Sequence, residues 1–251
     1  MRFTDKVAVV TGGSSGIGLA TASLLAREGA AVMVCARSEA RLQRAVAGLE
    51  AEGATVGGVP CDVGREEDVA RLFAETARRF GGVDVCVCNA GIETDEEYTF
   101  YDLPTAVWDE NMDTNVRGVF LTSQGAARLM RERRGGSIVI VGSTSGIIVD
   151  DVDPSPCYNA TKAAVHHFAR SLAQALAPDG IRVNAVAPGW IETAMTADDD
   201  PQTRETWLRR LPLGRYGRPE EVAELIAFMA SEQASYMTGA VVVLDGGETL
   251  S

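Results

Sequence analysis

The chain has 251 residues, of which 46% are hydrophobic and 23% charged, a composition typical of one soluble globular α/β domain. Its net charge of −12 disfavours nucleic acid or an anionic membrane as the main partner. The N-terminus lacks a signal-peptide pattern and no apolar run reaches membrane-spanning length, so we expect a cytoplasmic location. The five cysteines lack metal-binding CxxC spacing, which predicts buried free thiols with neither disulfides nor a metal site.

The first strand is predicted at Lys6–Thr11, and an amphipathic helix pattern follows from Gly16 to Glu28. Between them lies Thr11-Gly12-Gly13-Ser14-Ser15-Gly16-Ile17-Gly18. Backbone N–H groups and the positive end of a helix meet at such a turn, and its glycines let a pyrophosphate approach the backbone. The alternative is a turn that merely connects strand and helix. The spacing Gly-x-x-x-Gly-x-Gly also departs from the G-x-G-x-x-G of the standard dinucleotide fingerprint.

The second strand, predicted at Ala31–Cys35, is followed by Ala36, Arg37 and Ser38, and Ser38 can cap the next helix. An acidic residue that would bind an adenosine ribose is missing, because position 36 is alanine. The neighbouring Arg37 guanidinium suits a 2′-phosphate. The alternative is a solvated arginine beside a helix start.

The rest of the chain alternates between predicted strands and helices. Further strands are predicted at Thr55–Pro60, Val83–Cys88, Ser137–Val141, Ile181–Val186 and Ala240–Leu244. Helices are predicted at Arg65–Phe80, Trp108–Arg133, Pro156–Ala177 and Glu220–Ala230, and Trp190–Arg218 is predicted to be irregular. This alternation predicts a single domain, residues 1–251, with a doubly wound parallel sheet and helices on both faces. Ligands bind such sheets beyond the carboxyl ends of the strands, where Gly12, Arg37, Asp62, Asn89, Ser143 and Pro188 fall.

Tyr158 and Lys162 are four residues apart, so on a helix they lie on the same face. At ~5 Å and an effective dielectric of ~20, an ammonium stabilises a phenolate by roughly 3 kcal/mol, or about 2 pKa units. In bulk water the gain falls below ~1 kcal/mol, so the pair can act as a general acid–base only in a cleft that excludes water. The same spacing also occurs by chance in surface helices.

These motifs follow one another in a fixed order: Thr11-Gly12-x-x-x-Gly16-x-Gly18, Asn89-Ala90-Gly91, Asn115, Ser143, Tyr158-x-x-x-Lys162 and Pro188-Gly189. Over essentially its whole length the chain resembles the short-chain dehydrogenase/reductase family. The resemblance implies a Rossmann-type sheet of seven strands, a nicotinamide dinucleotide, and reversible hydride transfer between an alcohol and a carbonyl group.

The resemblance also implies the catalytic roles. Tyr158 would be the acid–base, and Lys162 would hold the nicotinamide ribose and lower the pKa of Tyr158. Ser143 would hydrogen-bond the substrate oxygen, with Ser145 as the other candidate because the loop before Tyr158 is about two residues longer than usual. Asn115, in a locally opened helix, would anchor a water that links Lys162 to solvent.

The resemblance further places the dinucleotide along the carboxyl ends of the strands. Asp62 would take the adenine amine beside the Val63 backbone, and Pro188–Thr193 would seat the carboxamide. The implied contacts are Gly12, Ser14, Ser15, Gly16, Ile17, Gly18, Arg37, Asp62, Val63, Asn89, Ala90, Gly91, Tyr158, Lys162, Pro188, Gly189, Ile191 and Thr193. Trp190–Arg218 would be a lid that excludes water.

Arg37 with Ala36 favours NADP(H), whereas Ser15, where many NADP-preferring relatives carry a basic residue, leaves NAD(H) possible. We therefore expect a ketone–secondary alcohol oxidoreductase with a small-molecule substrate. The alternatives are an NAD-dependent alcohol, sugar or steroid dehydrogenase, a 3-oxoacyl carrier-protein reductase, or a dinucleotide-binding sensor without turnover. The resemblance also suggests a homotetramer built through the helices that begin near Trp108 and Pro156.

Three acidic clusters are expected to border the substrate opening: Glu93/Asp95/Glu96/Glu97, Asp150/Asp151/Asp153 and Asp198/Asp199/Asp200. They predict a mouth that repels anionic substrates and accepts neutral or cationic ones. The alternative is that they are solvated loops of an acidic protein. His166 and His167 follow Lys162, and we expect them to pack or to face solvent.

Overall fold

The structure is a computed structural model that describes residues 1–94, 98–149, 155–194, 196 and 201–250. Its described part holds a parallel sheet of seven strands in the order β3-β2-β1-β4-β5-β6-β7, which confirms the predicted fold. The strands are β1 (Val7–Thr11), β2 (Ala31–Ala36), β3 (Val56–Pro60), β4 (Val85–Cys88), β5 (Gly136–Val141), β6 (Ile181–Pro188) and β7 (Val241–Leu244). Most are short runs rich in valine and isoleucine, as expected where both faces of a sheet are covered.

Helices cover both faces of the sheet. They are α1 (Gly16–Arg27), α2 (Glu39–Ala51), α3 (Glu66–Phe80), α4 (Thr105–Asn111), α5 (Gly118–Glu132), α6 (Pro156–Leu176), α7 (Pro201–Arg210) and α8 (Pro219–Ala230). Leu25 of α1, Leu42 of α2 and Ile226 of α8 share one core cluster. Leu72 of α3 and Met130 of α5 belong to a second cluster, on the opposite face. The two cores make the sheet doubly wound.

Local signals explain where several helices begin and end. The Ser38 hydroxyl accepts a hydrogen bond from the Arg41 backbone N–H, so it caps α2 as predicted. The first turn of α3 is acidic and its last turn is basic, which complements the helix dipole. Gly81 ends α3 with a φ of 83°, a left-handed conformation that glycine adopts without strain. All five cysteines lie within the described ranges and are buried free thiols, as predicted.

Two of the predicted elements need correction. The helix predicted from Trp108 begins at Thr105 and contains a π-helical segment, Met112–Arg117, between α4 and α5. The stretch predicted to be irregular, Trp190–Arg218, contains α7. Polar residues dominate α7, so its helical periodicity is weak in the sequence. It buries Trp207 against Leu211 and Tyr216 in a small core of its own.

The strand order reverses between β1 and β4, which is where open α/β sheets bind ligands. The carboxyl ends of these two strands are tied together by Thr11, whose Oγ1 accepts the backbone N–H groups of Asn89 (3.0 Å) and Ala90 (3.1 Å). The Asn89 side chain donates back to the Thr11 carbonyl at 2.9 Å. Among the described residues, none of the helices combines the length and apolarity that a membrane crossing needs.

Candidate active site

A cavity of about 1040 Å³ opens along the carboxyl ends of the strands. This volume is slightly above the ~300–1,000 Å³ typical of ligand pockets. One end is lined by the glycine-rich turn and the end of β2, and the other by Ser143, Tyr158 and Trp190. The cavity therefore connects the glycine-rich turn with the residues around Tyr158.

The glycine-rich turn is built for close backbone approach. A Cβ atom on Gly18 would lie 2.3 Å from the Gly12 carbonyl oxygen, so this helix start admits only glycine without a shift. Gly12 and Gly16 have φ angles of 65° and 50°, in the left-handed region. In α1, which is described over its whole length, no acidic residue lies in the first turn and Ser15 makes no side-chain cap. The first N–H groups of α1 thus remain available to an anion, which fits a pyrophosphate.

Two arginines line the end of the cavity beyond β2. Arg37 lies next to Ala36, and its Nη1 is 3.8 Å from Glu110 Oε1 in an ion pair with both side chains about half exposed. An exposed pair of this kind contributes only ~0–1 kcal/mol, so a bound phosphate can redirect the guanidinium. Arg41, in the first turn of α2, lines the same end. Sequence reasoning missed Arg41, although it follows Arg37 closely, at the start of the next helix.

Of the residues predicted to bind the dinucleotide, all but Gly18 and Asp62 line this cavity. Those that line it are Gly12, Ser14, Ser15, Gly16, Ile17, Arg37, Val63, Asn89, Ala90, Gly91, Tyr158, Lys162, Pro188, Gly189, Ile191 and Thr193, together with Ser143. Gly18 and Asp62 do not line the described cavity, and neither does Asn115, which was predicted to anchor a water at the catalytic end. Asp62 was expected to meet the adenine amine, but its Oδ1 accepts the Gly64 backbone N–H at 3.0 Å. In this structure the Asp62 carboxylate stabilises the turn after β3.

Tyr158, Lys162 and Ser143 meet at the far end of the cavity. The Tyr158 hydroxyl is hydrogen-bonded to the Ser143 side chain. The Lys162 Nζ atom is 5.2 Å from the centroid of the Tyr158 ring and donates to the Val141 carbonyl at 3.2 Å. Ser145, the other candidate, has its Oγ 3.0 Å from that of Ser143 and its backbone N–H donates to Ser143 Oγ at 3.1 Å. Ser143 is therefore the serine bonded to Tyr158, and Ser145 supports it.

The electrostatics of this end differ from the expectation that Lys162 lowers the pKa of Tyr158. Burial, followed by the charge of Glu93, raises the pKa of Tyr158 above its usual value, and the Ser143 hydrogen bond only partly opposes this. Burial lowers the pKa of Lys162 to about 8, against the opposing influence of Glu93. Tyr158 as a residue is partly exposed because its ring faces the cavity, but the surroundings of the hydroxyl set its pKa. Loss of water around both groups is the largest cause of both pKa shifts.

Asn115 lies in the π-helical segment, in agreement with the expected local opening of the helix. Its Oδ1 accepts the Ile92 backbone N–H at 2.8 Å, and its Nδ2 donates to the Ile92 carbonyl at 2.8 Å and to Thr161 Oγ1 at 3.1 Å. A Cβ atom on Gly91 would lie 3.4 Å from both Asn115 Oδ1 and Lys162 Nζ. Asn115 thus ties the segment after β4 to α6, directly behind Lys162.

His166 lies behind Ser143, and sequence reasoning gave it no role at the site. It is 7% exposed, and its Nε2 accepts the Ser143 backbone N–H at 3.4 Å. Burial, then the charge of Lys162, lowers its pKa to about 4, although a hydrogen bond to the Gly146 backbone opposes this and Arg170 adds a smaller lowering. A neutral imidazole therefore supports the loop that carries Ser143. The signal in the sequence was its position one helical turn after Lys162.

Aromatic contacts join the start of the segment after β6 to α7 and to Tyr216, and Trp190 and Trp207 line the cavity. The Trp190 ring stacks on Trp207 at 4.3 Å between centroids, and Tyr216 lies 5.8 Å from Trp190. The two ends of the segment are joined, since the Gly217 N–H donates to the Trp190 carbonyl at 2.9 Å. Trp190 Nε1 also donates to Glu248 Oε1 at 3.1 Å, so the C-terminal turn contacts the start of this segment. Sequence reasoning missed Glu248, although it follows the carboxyl end of the last strand, β7.

Only one member of the three acidic clusters can be placed. Glu93 lines the cavity near Tyr158. Asp95, Glu96, Glu97, Asp150, Asp151, Asp153, Asp198, Asp199 and Asp200 lie outside the described residues. The predicted acidic mouth therefore stays a prediction, apart from Glu93.

Comparison with known proteins yields matches over nearly the whole chain. A family model described as enoyl-(acyl carrier protein) reductase matches residues 12–249. The cis-4-hydroxycyclohexanecarboxylate dehydrogenase of Sinomonas cyclohexanicum is 43% identical over 247 residues, 98% of each protein. The crystal structure of gox2181 has a TM-score of 0.96 at 41% identity, covering 100% of this chain and 98% of that one. The 7α-hydroxysteroid dehydrogenase complexed with NADH and 7-oxo glycochenodeoxycholic acid has a TM-score of 0.92 at 30% identity, covering 98% and 95%.

Proposed function

The chain belongs to the short-chain dehydrogenase/reductase family, and we propose that it interconverts a ketone and a secondary alcohol with NADP(H) as its favoured cofactor. The oxidoreductase class follows from the relatives, which are dehydrogenases and reductases. The observation that carries the proposal is the Tyr158 hydroxyl, hydrogen-bonded to Ser143 at the end of a cavity with an anion site at its other end.

The site residues divide the chemistry between binding and proton transfer. The bound nicotinamide supplies or accepts the hydride. Ser143 would hold the substrate oxygen, and the Tyr158 hydroxyl would give it a proton during ketone reduction. The raised pKa of Tyr158 keeps the phenol protonated, which suits the role of acid. Lys162, whose pKa is about 8, would return a proton to Tyr158 from the Asn115 side of the site.

The test of this reaction is the variant Tyr158→Phe. We expect ketone reduction, followed by nicotinamide absorbance, to fall at least about 10²-fold, because general acid catalysis contributes ~10²–10⁴-fold. The stabilisation of the melting temperature by added cofactor should persist. Ser145→Ala, which leaves the Ser143–Tyr158 bond in place, is the matched control and should retain most activity. A Tyr158→Phe enzyme that works at the wild-type rate would refute the role.

The preference for NADP(H) is supported by Arg37 and Arg41, which line the end of the cavity that carries Ala36 in place of an acidic residue. A guanidinium pairs with a 2′-phosphate through charge-assisted hydrogen bonds. We expect Arg37→Ala to raise KM for NADPH by about tenfold or more and to leave KM for NADH nearly unchanged, with Arg44→Ala on α2, the helix that follows Arg37, as control. Equal effects on both cofactors would favour NAD(H), which the 7α-hydroxysteroid dehydrogenase structure contains.

The alternative of a carrier-protein substrate is kept open by the description of the family model as a reductase of acyl carrier protein substrates. Rates of reduction of acetoacetyl-coenzyme A, a thioester, and of free ketones at equal concentration distinguish a carrier-bound substrate from a small ketone. Turnover of the thioester alone would replace the small-ketone proposal. Cofactor binding without turnover of any carbonyl compound would favour the sensor alternative.

We also propose a homotetramer assembled through α5 and α6, with the last strand and the C-terminal tail at a second interface. Phe120 of α5 is 44% exposed and lies 6.3 Å, between ring centroids, from Phe168 of α6. An apolar groove of about 300 Å³ runs between these helices. Light scattering after size exclusion should give four times the 26.6 kDa chain mass, and Phe120→Glu should dissociate the assembly. A wild-type monomer would refute this proposal.

A further inference from the structure

Glu93 is held on a fixed stretch of backbone beside the catalytic residues. Its neighbour Ile92 is bonded at both its N–H and its carbonyl by Asn115, each at 2.8 Å. On its other side, Thr94 Oγ1 accepts from Asn111 Nδ2 at 2.8 Å. Asn111 and Asn115 are 0% and 2% exposed, so both anchors are part of the protein interior. Glu93 therefore has a defined place at the cavity wall.

The charged side chains that line the described cavity fall into two groups. Arg37 and Arg41 lie at the end beyond β2, where the cofactor phosphates would bind. Glu93, Lys162 and Glu248 lie at the end that holds Ser143 and Trp190. Lys162, with a pKa of about 8, carries less than a full positive charge near that pH. Among the described lining residues, the substrate end therefore holds two carboxyl groups and one amine.

The carboxylate of Glu93 also lies within electrostatic reach of the reacting groups. Its charge acts on Tyr158 and on Lys162 and favours the protonated form of each. A substrate oxygen bound at Tyr158 would lie in the same field. A cationic group on the substrate would gain from this field, and a carboxylate would be repelled.

We propose that Glu93 selects the substrate by charge, and that the substrate is an amino ketone or amino alcohol whose ammonium group faces the Glu93 carboxylate. The inference rests on the proposed ketone–alcohol chemistry. Substrates with a hydroxyl group at that position are accepted less well, and those with a carboxylate there are rejected.

The experiment uses one scaffold with three substituents: 4-aminocyclohexanone, 4-hydroxycyclohexanone and 4-oxocyclohexanecarboxylate. We expect kcat/KM of the wild-type enzyme to fall in that order, with at least about a tenfold ratio between amine and carboxylate at ~0.15 M salt. Glu93→Gln should reduce that ratio about tenfold while the hydroxy ketone changes little. Glu93→Lys should reverse the order. The matched control is Glu50→Gln, an exposed glutamate on α2, which should leave the ratio unchanged.

The outcomes separate the two proposals. If Glu93→Gln and Glu93→Lys both keep the wild-type amine-to-carboxylate ratio while the ketones are still reduced, the role of Glu93 is refuted and the proposed function stands. If the wild-type enzyme prefers the carboxylate, the charge selection is refuted in the same way. If the wild-type enzyme reduces no ketone with either cofactor, the proposed function fails and the inference fails with it.

Discussion

His166 offers a test of how the interior of α6 supports the reaction. It is enclosed, and Lys162 and Arg170 lie one helical turn before and after it, so its imidazole stays neutral. Because Nε2 accepts the Ser143 N–H, the ring proton is on Nδ1. The perturbations are His166→Leu, which removes both hydrogen bonds, and His166→Gln, whose amide oxygen can replace the Nε2 acceptor. Removal leaves the buried Ser143 N–H unpaired, which costs about 1–3 kcal/mol.

The pKa of His166 also sets how much the free energy of unfolding changes with pH. The pKa of His166 is about 4 in the folded chain, against 6.5 for the free side chain. The unfolded chain thus takes up a proton below pH ~6.5 while the folded chain does so only near pH ~4. The contribution of neutral His166 to the free energy of unfolding is fully present above pH ~6.5 and is lost as the pH falls toward 4. The shift corresponds to about 3 kcal/mol, and solvent screening reduces this to about 2 kcal/mol.

The assay is urea unfolding at several pH values between 7.5 and 4.5, combined with steady-state kinetics. We expect His166→Leu to have a lower free energy of unfolding than wild type at pH 7.5. Between pH 7.5 and 4.5, the free energy of unfolding of this variant should fall by about 2 kcal/mol less than that of wild type. Its kcat should fall while KM for the cofactor stays constant, and His166→Gln should recover part of the kcat. His167→Gln is the matched control, because His167 is exposed and is the other of the two histidines in the chain.

Proton NMR measures the pKa of the His166 imidazole directly. In the His167→Gln variant a single histidine remains, and its ring resonances should titrate near pH 4. Titration near 6.5, or an unchanged pH dependence of stability in His166→Leu, would show that the imidazole is solvated and does not support Ser143.

Three further substitutions probe other parts of the site. Gly18→Ala should lower the free energy of unfolding and the free energy of cofactor binding by about 1–3 kcal/mol each, as measured by thermal unfolding and fluorescence titration, because its Cβ would collide with the glycine-rich turn. Asn115→Leu should lower the free energy of unfolding by about 2–4 kcal/mol in urea, because the buried backbone of Ile92 loses its partners. Trp190→Phe keeps an aromatic ring but loses the bond to Glu248, and steady-state kinetics should show a raised KM for the ketone at nearly constant kcat. Unchanged values in these measurements would contradict the corresponding role.

The sequence by itself determined the features that depend on neighbours along the chain. The apolar runs gave the strands, Ser38 gave the start of α2, and the spacing of Tyr158 and Lys162 placed them on one helical face. The turn from Gly12 to Gly18 predicted an anion site because its physics is local: bare N–H groups and a helix N-terminus. The alternation of strands and helices was enough to predict the parallel sheet.

Only the tertiary structure decided the features that depend on burial. The packing of Trp207 against Trp190 holds α7 in place. This contact joins separate segments of the chain, so the local sequence pattern does not reveal it. The direction of the Tyr158 pKa was wrong in the sequence-based expectation, because spacing gives the distance to Lys162 but says nothing about the loss of water around both groups. His166 likewise acquires its neutral state from enclosure behind Ser143. Desolvation is a property of the whole assembled interior, so residues that are near in sequence cannot reveal it.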